Sequence, residues 1–352
     1  MKIVFDNIIF GAQKSGGISV VWYELVSRAL RDKLDVQFID FPDNHNIMRE
    51  GLGNLPNIIR SVPSRYKKYC KYLPVLCRSK EPFIFHSSFF RYCPLSNAIN
   101  ITTVHDFTNE LFQTGSGARK ERWIKDNAIR HSDYIICISE NTKKDFERFY
   151  PSFPKERVNV VYNGVSDDFF ISSTLRWPFD FPKTNYVLFV GERDGYKNFE
   201  LVVEALKQYQ IDIVLTGKPL NDNEIRQLQE IKGRYYYAGR VSSALLNILY
   251  NNAYALVYPS LYEGFGLPVV EAQKAGCPVI ATDASSIPEI IGDKTLLLKT
   301  PTPELLIEKL NDLQLGDVRE RVVASGLENS KRFSWEKMYF EYCKLYLDVD
   351  VP

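Results

Sequence analysis

Residues whose types and spacing could do chemistry are densest between Pro259 and Gly292, in the run PSLYEGFGLPVVEAQKAGCPVIATDASSIPEIIG. An apolar, strand-like run ends at Tyr258–Pro259, a glycine-containing loop follows, and Pro268 suits the first turn of a helix. A turn of this kind aims the backbone amides of Gly264, Phe265, Gly266 and Leu267 at the place where the helix dipole favours an anion. Glycine there permits close approach and positive φ. Glu263 falls in the loop and Glu271 about one turn into the helix, so one carboxylate can address the outer part of a ligand and the other its inner part. Carboxylates accept paired hydrogen bonds from vicinal hydroxyls such as those of sugars and riboses. Taken alone, the same residues also suit a tight strand–helix turn with two surface glutamates.

A second segment, VLFVGERDGYKNFELVVEA from Val187 to Ala205, puts Arg193 and Lys197 in a loop between a strand ending at Gly191 and a helix. Two cations there suit a diphosphate, whose charge must be neutralised as the bond to it breaks; a solvated pair is the plainer alternative. LTGKP carries Gly217 and Lys218, and YAGRV carries Arg240 and Val241, in similar strand-end turns. In the N-terminal half, Gly16 and Gly17 of KSGGISVVWYELVSRAL open a helix, where paired glycines either approach phosphate or sugar closely or only shape the turn. TTVHDF sets His105 and Asp106 just beyond a strand.

The Glu-x7-Glu spacing inside EGFGLPVVEA, followed by GCPVIATDASSIPE, resembles the family 4 retaining glycosyltransferases of the GT-B fold. ICISENTKKDFERF from Ile136, VVYNGV ending at Val165 and RFSWEKMYFEY near the end extend the likeness over most of the chain, leaving about 45–80 and 110–125 without a matching motif. The resemblance implies two Rossmann-like, doubly wound domains facing a central cleft. It implies that Glu271 binds the ribose of a nucleotide, and that Glu263 with the Gly264–Leu267 amides holds the donor sugar and diphosphate. His105 matches a family histidine that contacts the donor sugar. Tyr237–Val241, with Arg240 and Val241, matches a segment whose backbone contacts the base, and Gly217 and Lys218 match a nucleotide-side turn. The family places an arginine directly after the residue matching Gly191 and a lysine six positions after it. Lys197 fits; Glu192 stands in the arginine's place, with Arg193 displaced by one.

Catalytic roles for His105, Lys197 and Glu263 follow from the resemblance, with Gly16, Gly17, Asp106, Arg193, Gly217, Lys218, Arg240, Val241, Gly264, Phe265, Gly266, Leu267 and Glu271 binding substrate. It implies front-side transfer with retention, the departing phosphate helping to deprotonate the acceptor hydroxyl. No metal and no cofactor beyond the nucleotide-sugar donor is expected. Glu263 and Glu271 are not a glycosidase pair, which must flank the scissile bond. The EGFGLP and ASSIPE variants look most like bacterial polysaccharide enzymes using GDP-mannose, with UDP-hexoses or dTDP-rhamnose next, and a glycan or lipid-linked oligosaccharide as acceptor. A sugar-nucleotide epimerase on the same architecture would need acid/base residues at the sugar C2/C3 region, and no convincing set is visible. A non-catalytic nucleotide-sugar-binding protein would not need His105, Lys197, Glu263 and Glu271 together. A dehydrogenase is disfavoured because no G-x-G-x-x-G follows the first strand.

The elements that must position these residues alternate in type. Strands are expected at Lys2–Ile9, Val36–Asp40, Phe83–Ser88, Ile101–Val104, Tyr134–Ile138 and Val158–Tyr162. A second series follows at Tyr186–Val190, Asp212–Thr216, Tyr235–Ala238, Tyr254–Tyr258 and Pro278–Ala281. Helices are expected at Ile18–Arg31, Asn198–Lys207, Glu224–Lys232 and Ser242–Asn251. Short apolar strands separated by helices argue for α/β parallel sheets covered on both faces. Ligands then bind beyond the carboxyl ends of the strands, in the crevice between two such domains. The expected division is residues 1–166, a Ser-, Asp-, aromatic- and Pro-rich linker at 167–183, a nucleotide-sugar domain at 184–333, and a C-terminal helix at 334–352 packing back on the first domain.

Composition excludes several classes. Lys+Arg number 44 against 43 Asp+Glu, so no broadly basic nucleic-acid binder is indicated. No apolar run reaches the roughly 18–20 residues of a membrane span, and the N-terminus enters as a strand rather than a signal peptide. Six scattered cysteines without CxxC pairs fit a reduced, cytoplasmic chain with no metal site. Eight Lys/Arg between Arg49 and Lys80, interleaved with Tyr66, Tyr69, Tyr72, Leu73 and Leu76, suggest a basic, aromatic-studded helix. It would either meet the anionic inner face of the plasma membrane or a lipid-diphosphate acceptor, or be a solvated face.

Overall fold

The computed structural model describes every residue except Ser15, Pro42, Asp43, Asn44, Ser64, Arg65, Arg78, Asp194, Val351 and Pro352, together with the Lys67 and Lys68 side chains. The chain divides into two compact units, Met1–Gly164 with Trp335–Pro352, and Val165–Ser334. Each is built on one parallel sheet.

The first unit holds β1 (Lys2–Asp6), β2 (Val36–Asp40), β3 (Ile58–Ser61), β4 (Phe83–Ser87), β5 (Ala98–Val104), β6 (Tyr134–Cys137) and β7 (Val158–Val160). They lie in the order β3-β2-β1-β4-β5-β6-β7, all neighbours parallel. Strands β4, β5 and β6 are buried along their whole length, as in a parallel sheet covered on both faces. The second unit holds β8 (Tyr186–Phe189), β9 (Asp212–Thr216), β10 (Tyr235–Gly239), β11 (Ala255–Tyr258), β12 (Val279–Thr282) and β13 (Leu297–Leu298). Their order is β10-β9-β8-β11-β12-β13, again parallel. The architecture is therefore α/β with two Rossmann-like sheets.

In each sheet the order reverses once, between β1 and β4 and between β8 and β11. At such a reversal the loops from the two strands leave to opposite sides and open a crevice at the carboxyl ends.

Two local expectations change. The first strand stops at Asp6, and Ile8–Ala12 is a short helix rather than more strand; a short apolar run has no period that separates the two. The Arg49–Lys80 stretch is not one helix. It carries a helix at Ile47–Gly51, the edge strand β3 and a four-residue helix at Lys67–Cys70, with Gly53, Pro56, Pro63 and Pro74 breaking the run. Arg65 and Arg78 lie outside the described residues, as do the side chains of Lys67 and Lys68.

Within the first unit, helix Trp335–Asp348 lies against helix Gly17–Arg31. The Tyr342 hydroxyl sits 3.2 Å from Thr103 Oγ1 and that of Tyr346 lies 2.6 Å from His86 Nδ1. Glu336 accepts from Arg28 Nε at 2.9 Å and from an Arg31 guanidinium nitrogen at 2.6 Å.

Candidate active site

The loops after β8 and β11, the two strands at the second sheet's reversal, meet through their backbones: Leu261 N–H donates to the Tyr196 carbonyl at 2.8 Å. This contact brings Lys197 to Glu263, with Nζ 2.5 Å from Oε1. Lys197 also donates to the Tyr258 hydroxyl at 3.4 Å and lies over the Tyr196 and Tyr258 rings. The two side chains are 15% and 12% exposed, so the pair is sheltered but open to a ligand.

The β11 loop is held by residues sequence reasoning gave no role. Ser285 Oγ accepts from the Glu263 amide at 3.1 Å and donates to the Glu263 carbonyl at 2.6 Å. Ser286 Oγ lies 2.9 and 2.8 Å from the Glu263 and Phe265 carbonyls. Phe265 is buried edge-on against Phe333, so it can offer a ligand only its backbone. Gly266 caps helix Leu267–Lys274 at φ +101°, and a Cβ there would sit 3.0 Å from Ile290 Cδ1. Only glycine fits that backbone without strain. Amides in the first turn of a helix have no intrahelical acceptor and face a partial positive charge outward.

One turn further, Glu271 accepts from the Tyr250 hydroxyl at 3.1 Å. Burial pushes its carboxyl up to about 7, the Tyr250 bond partly opposing this. The group thus titrates near neutrality. Tyr250 comes from helix Ser243–Asn252, the element after β10.

Arg193 shares the loop of Lys197 but turns the other way. Its side chain is 0% exposed. Nε donates to Glu224 at 3.0 Å, and the remaining nitrogens donate to the Thr216, Lys218 and Pro219 carbonyls. Glu224 is itself the third residue of a capping box with Asn221. The structure therefore does not bring this guanidinium to the Lys197 group; it fastens the β9 loop from beneath. Gly217, in that loop, is at φ +107°, and a Cβ on it would lie 2.4 Å from the Gly191 carbonyl oxygen, so the β8 and β9 loops can touch only through glycine. Lys218 and Arg240 both approach Glu192, at 3.5 and 3.8 Å. Val241 follows, half-buried.

The remaining candidates lie in the first unit, around the β1/β4 reversal and its neighbour β5. Gly16 caps helix Gly17–Arg31, and its carbonyl accepts from Ser19 Oγ at 2.9 Å. Trp22 on that helix donates to Asn7 at 2.7 Å. His105 shares a small cavity with Trp22, Ser87, Ser88, Thr103 and Tyr342. Burial, with Lys125 nearby and Asp106 opposing, pushes its imidazole down to about 4, so it is neutral at pH 7. Asp106 Oδ1 accepts from the Thr108 amide at 2.9 Å and its carbonyl accepts from Lys125. That carboxylate is engaged in shaping its own loop.

Sequence position concealed Tyr250, Tyr258 and Asn7. The doubled serine of ASSIPE was visible, but nothing in its spacing tied it to Glu263.

Residues 173–326 match the family model described as Glycosyl transferases group 1, and residues 15–169 match Glycosyltransferase Family 4. The O-antigen chain mannosyltransferase B of Escherichia coli is 27% identical over 74% of this chain and 72% of its own. The O-antigen chain mannosyltransferase RfbU of Salmonella typhimurium is 27% identical over 76% and 79%. Among solved structures, Anabaena Alr3699/HepE, in complex with UDP and glucose, superposes with a TM-score of 0.75 at 15% identity over 99% of this chain and 100% of that one.

Proposed function

The chain belongs to the family 4 glycosyltransferases of the GT-B fold, and from that premise we propose that it transfers mannose from GDP-mannose, with retention, to a glycan or lipid-linked oligosaccharide of a bacterial surface polysaccharide. The observation that carries the reading is the Lys197–Glu263 pair at the N-terminus of helix Leu267–Lys274. The helix amides and Lys197 take the charge that develops on the departing diphosphate, so no metal is required. Glu263 holds the sugar, Glu271 the ribose, and the neutral imidazole of His105 contacts the sugar. The acceptor hydroxyl attacks the anomeric carbon on the face the phosphate leaves. Its proton passes to the departing phosphate oxygen as the new glycosidic bond forms.

The mannosyltransferase relatives support mannose over other hexoses; UDP-hexoses and dTDP-rhamnose are the next donors to try. A lipid-linked acceptor would draw the chain to the inner face of the plasma membrane. Exposed Ile58, Ile59, Tyr66, Tyr69, Leu73 and Leu76, interspersed with Arg60, Lys71 and Lys80, support such peripheral contact. No described helix is long and apolar enough to cross a membrane.

The test is transfer of label from GDP-mannose to a lipid-linked glycan fraction. Glu263→Ala should abolish transfer while GDP binding stays largely intact; equal loss of both contradicts the sugar-side role. Activity should persist in EDTA, and proton NMR of the product should show the donor's anomeric configuration. An inverted product, or a metal-rescuable loss, overturns the mechanism.

A further inference from the structure

Three neighbouring strands of the second sheet, β10, β9 and β8, end in positive-φ glycines, Gly239, Gly217 and Gly191. Gly217 N–H donates to the Gly239 carbonyl at 3.0 Å, and no Cβ separates Gly217 from Gly191. The residues that follow, Arg240, Lys218 and Glu192, are therefore drawn side by side. Glu192 receives Lys218 Nζ at 3.5 Å and an Arg240 guanidinium nitrogen at 3.8 Å, on side chains 42%, 35% and 66% exposed. Ion pairs this long and this exposed add little to stability. The triad is a surface offering one acceptor between two donors.

We infer that Glu192 reads the base of the donor nucleotide and selects guanine. The inference rests on the reading of this site as a nucleotide-sugar site. A carboxylate on the loop that carries Lys197 would repel a diphosphate, so in the complex it must face a part of the nucleotide that donates hydrogen bonds. Sugar hydroxyls (already assigned to Glu263), ribose hydroxyls and the base are the candidates. The ribose belongs to Glu271, whose partner Tyr250 sits on the helix that Arg240 and Val241 lead into. The base remains, on the Arg240 side.

Guanine presents adjacent N1–H and N2–H2 donors, which two carboxylate oxygens accept together, beside an O6 acceptor that suits Lys218 or Arg240. Uracil and thymine present one N–H between two carbonyls, which would meet the carboxylate oxygens with like partial charge. The half-exposed Tyr237 ring, pinned by its hydroxyl to the Gly217 carbonyl at 2.9 Å, offers a stacking face beside them.

The experiment is titration calorimetry of the full chain with GDP, inosine diphosphate, which lacks the 2-amino group, and UDP. The wild type should bind GDP about tenfold or more tightly than either of the others, the discrimination expected of one bidentate base contact. Glu192→Ala should bring GDP down to the level of inosine diphosphate and leave UDP unchanged or improved, with an unaltered melting temperature. A wild type that prefers UDP, or an unchanged GDP to inosine diphosphate ratio in Glu192→Ala, overturns the assignment and leaves the nucleotide-sugar reading standing. Failure to bind any nucleoside diphosphate overturns both.

Discussion

The carboxyl edges of the two sheets are built from the same residue types and use them differently. At the first, charges are buried and saturated: Asp6, fully buried, takes Arg91 at 2.9 and 3.1 Å and Ser87 at 2.9 Å. Asp40 takes both arms of Arg49, at 2.8 and 2.6 Å. At the second, Arg193 is saturated in the same way, but Lys197–Glu263 and the Glu192 group are held by one or two ion pairs and stay within reach of solvent. A saturated edge is a scaffold, whose members are costly to remove because the partner stays buried. A loosely paired edge can exchange its partners for a ligand's. Each half matches a glycosyltransferase model of its own, and the motif-dense half is the one that keeps loosely paired charges.

The largest effect should come from breaking the saturated edge. Burial already raises the Asp6 carboxyl above its ordinary value, with Arg91 opposing. Arg91→Ala removes that opposition and should destabilise the first unit by about 3–5 kcal/mol. The loss should grow as pH rises above the usual carboxylate range, because an unpaired buried Asp6 holds its proton in the folded state and gives it up when unfolded. Urea denaturation at pH 5 and pH 8 checks this, and equal losses at both would mean that Asp6 is not desolvated.

Lys197→Ala sits on the other side of the contrast. Its partner Glu263 keeps solvent access, so the fold should survive with little change in melting temperature. Turnover should fall about a hundred- to a thousandfold, as for removal of one charge-stabilising donor. Arg193→Ala, four residues away in the same loop, should do the reverse: about 2–3 kcal/mol of stability lost by stranding Glu224. Parallel kinetic and thermal measurements on the two variants separate the roles. Similar profiles for both would erase the distinction between saturated and loosely paired charges.

How much of this could be read from sequence depended on whether partners are neighbours in the chain. EGFGLP was legible because loop glycine, first-turn proline and both glutamates fall within one strand–helix turn. The long buried strands were legible as apolar runs. Two edge strands were not: β3 is exposed at every position and so lacks the burial that marks a strand, and β13, though buried, has only two residues. Arg193 looked like a second phosphate cation because nothing local reveals that Glu224, 31 positions on, is waiting beneath it. Ser285 lies 22 positions from the loop it clasps. Side-chain direction and remote partners are settled by packing, and a lone sequence carries neither.

The smallest expected effect sharpens the contrast most, because it separates a ligand-poised carboxylate from a structural one by whether its titration also governs ligand affinity. Glu271 moves from 4.5 to about 7 on folding, chiefly by burial. Below about 4.5 it is protonated folded and unfolded alike, and costs nothing. As pH rises from 4.5 through 7 the unfolded chain releases the proton first, so stability falls across that window and the full cost stands above it. Glu271→Gln removes the titration. The variant should match the wild type near pH 4.5 and exceed it by about 1 kcal/mol at pH 8, a rise of a few degrees in melting temperature. GDP binding should show the opposite preference. The ionised wild type accepts from the ribose hydroxyls, so its affinity should fall as pH drops below 7, whereas the amide should bind weakly at every pH. A Glu271 that merely supported Tyr250 would lose stability on substitution and show no pH-dependent affinity, and it would belong with Asp6 after all.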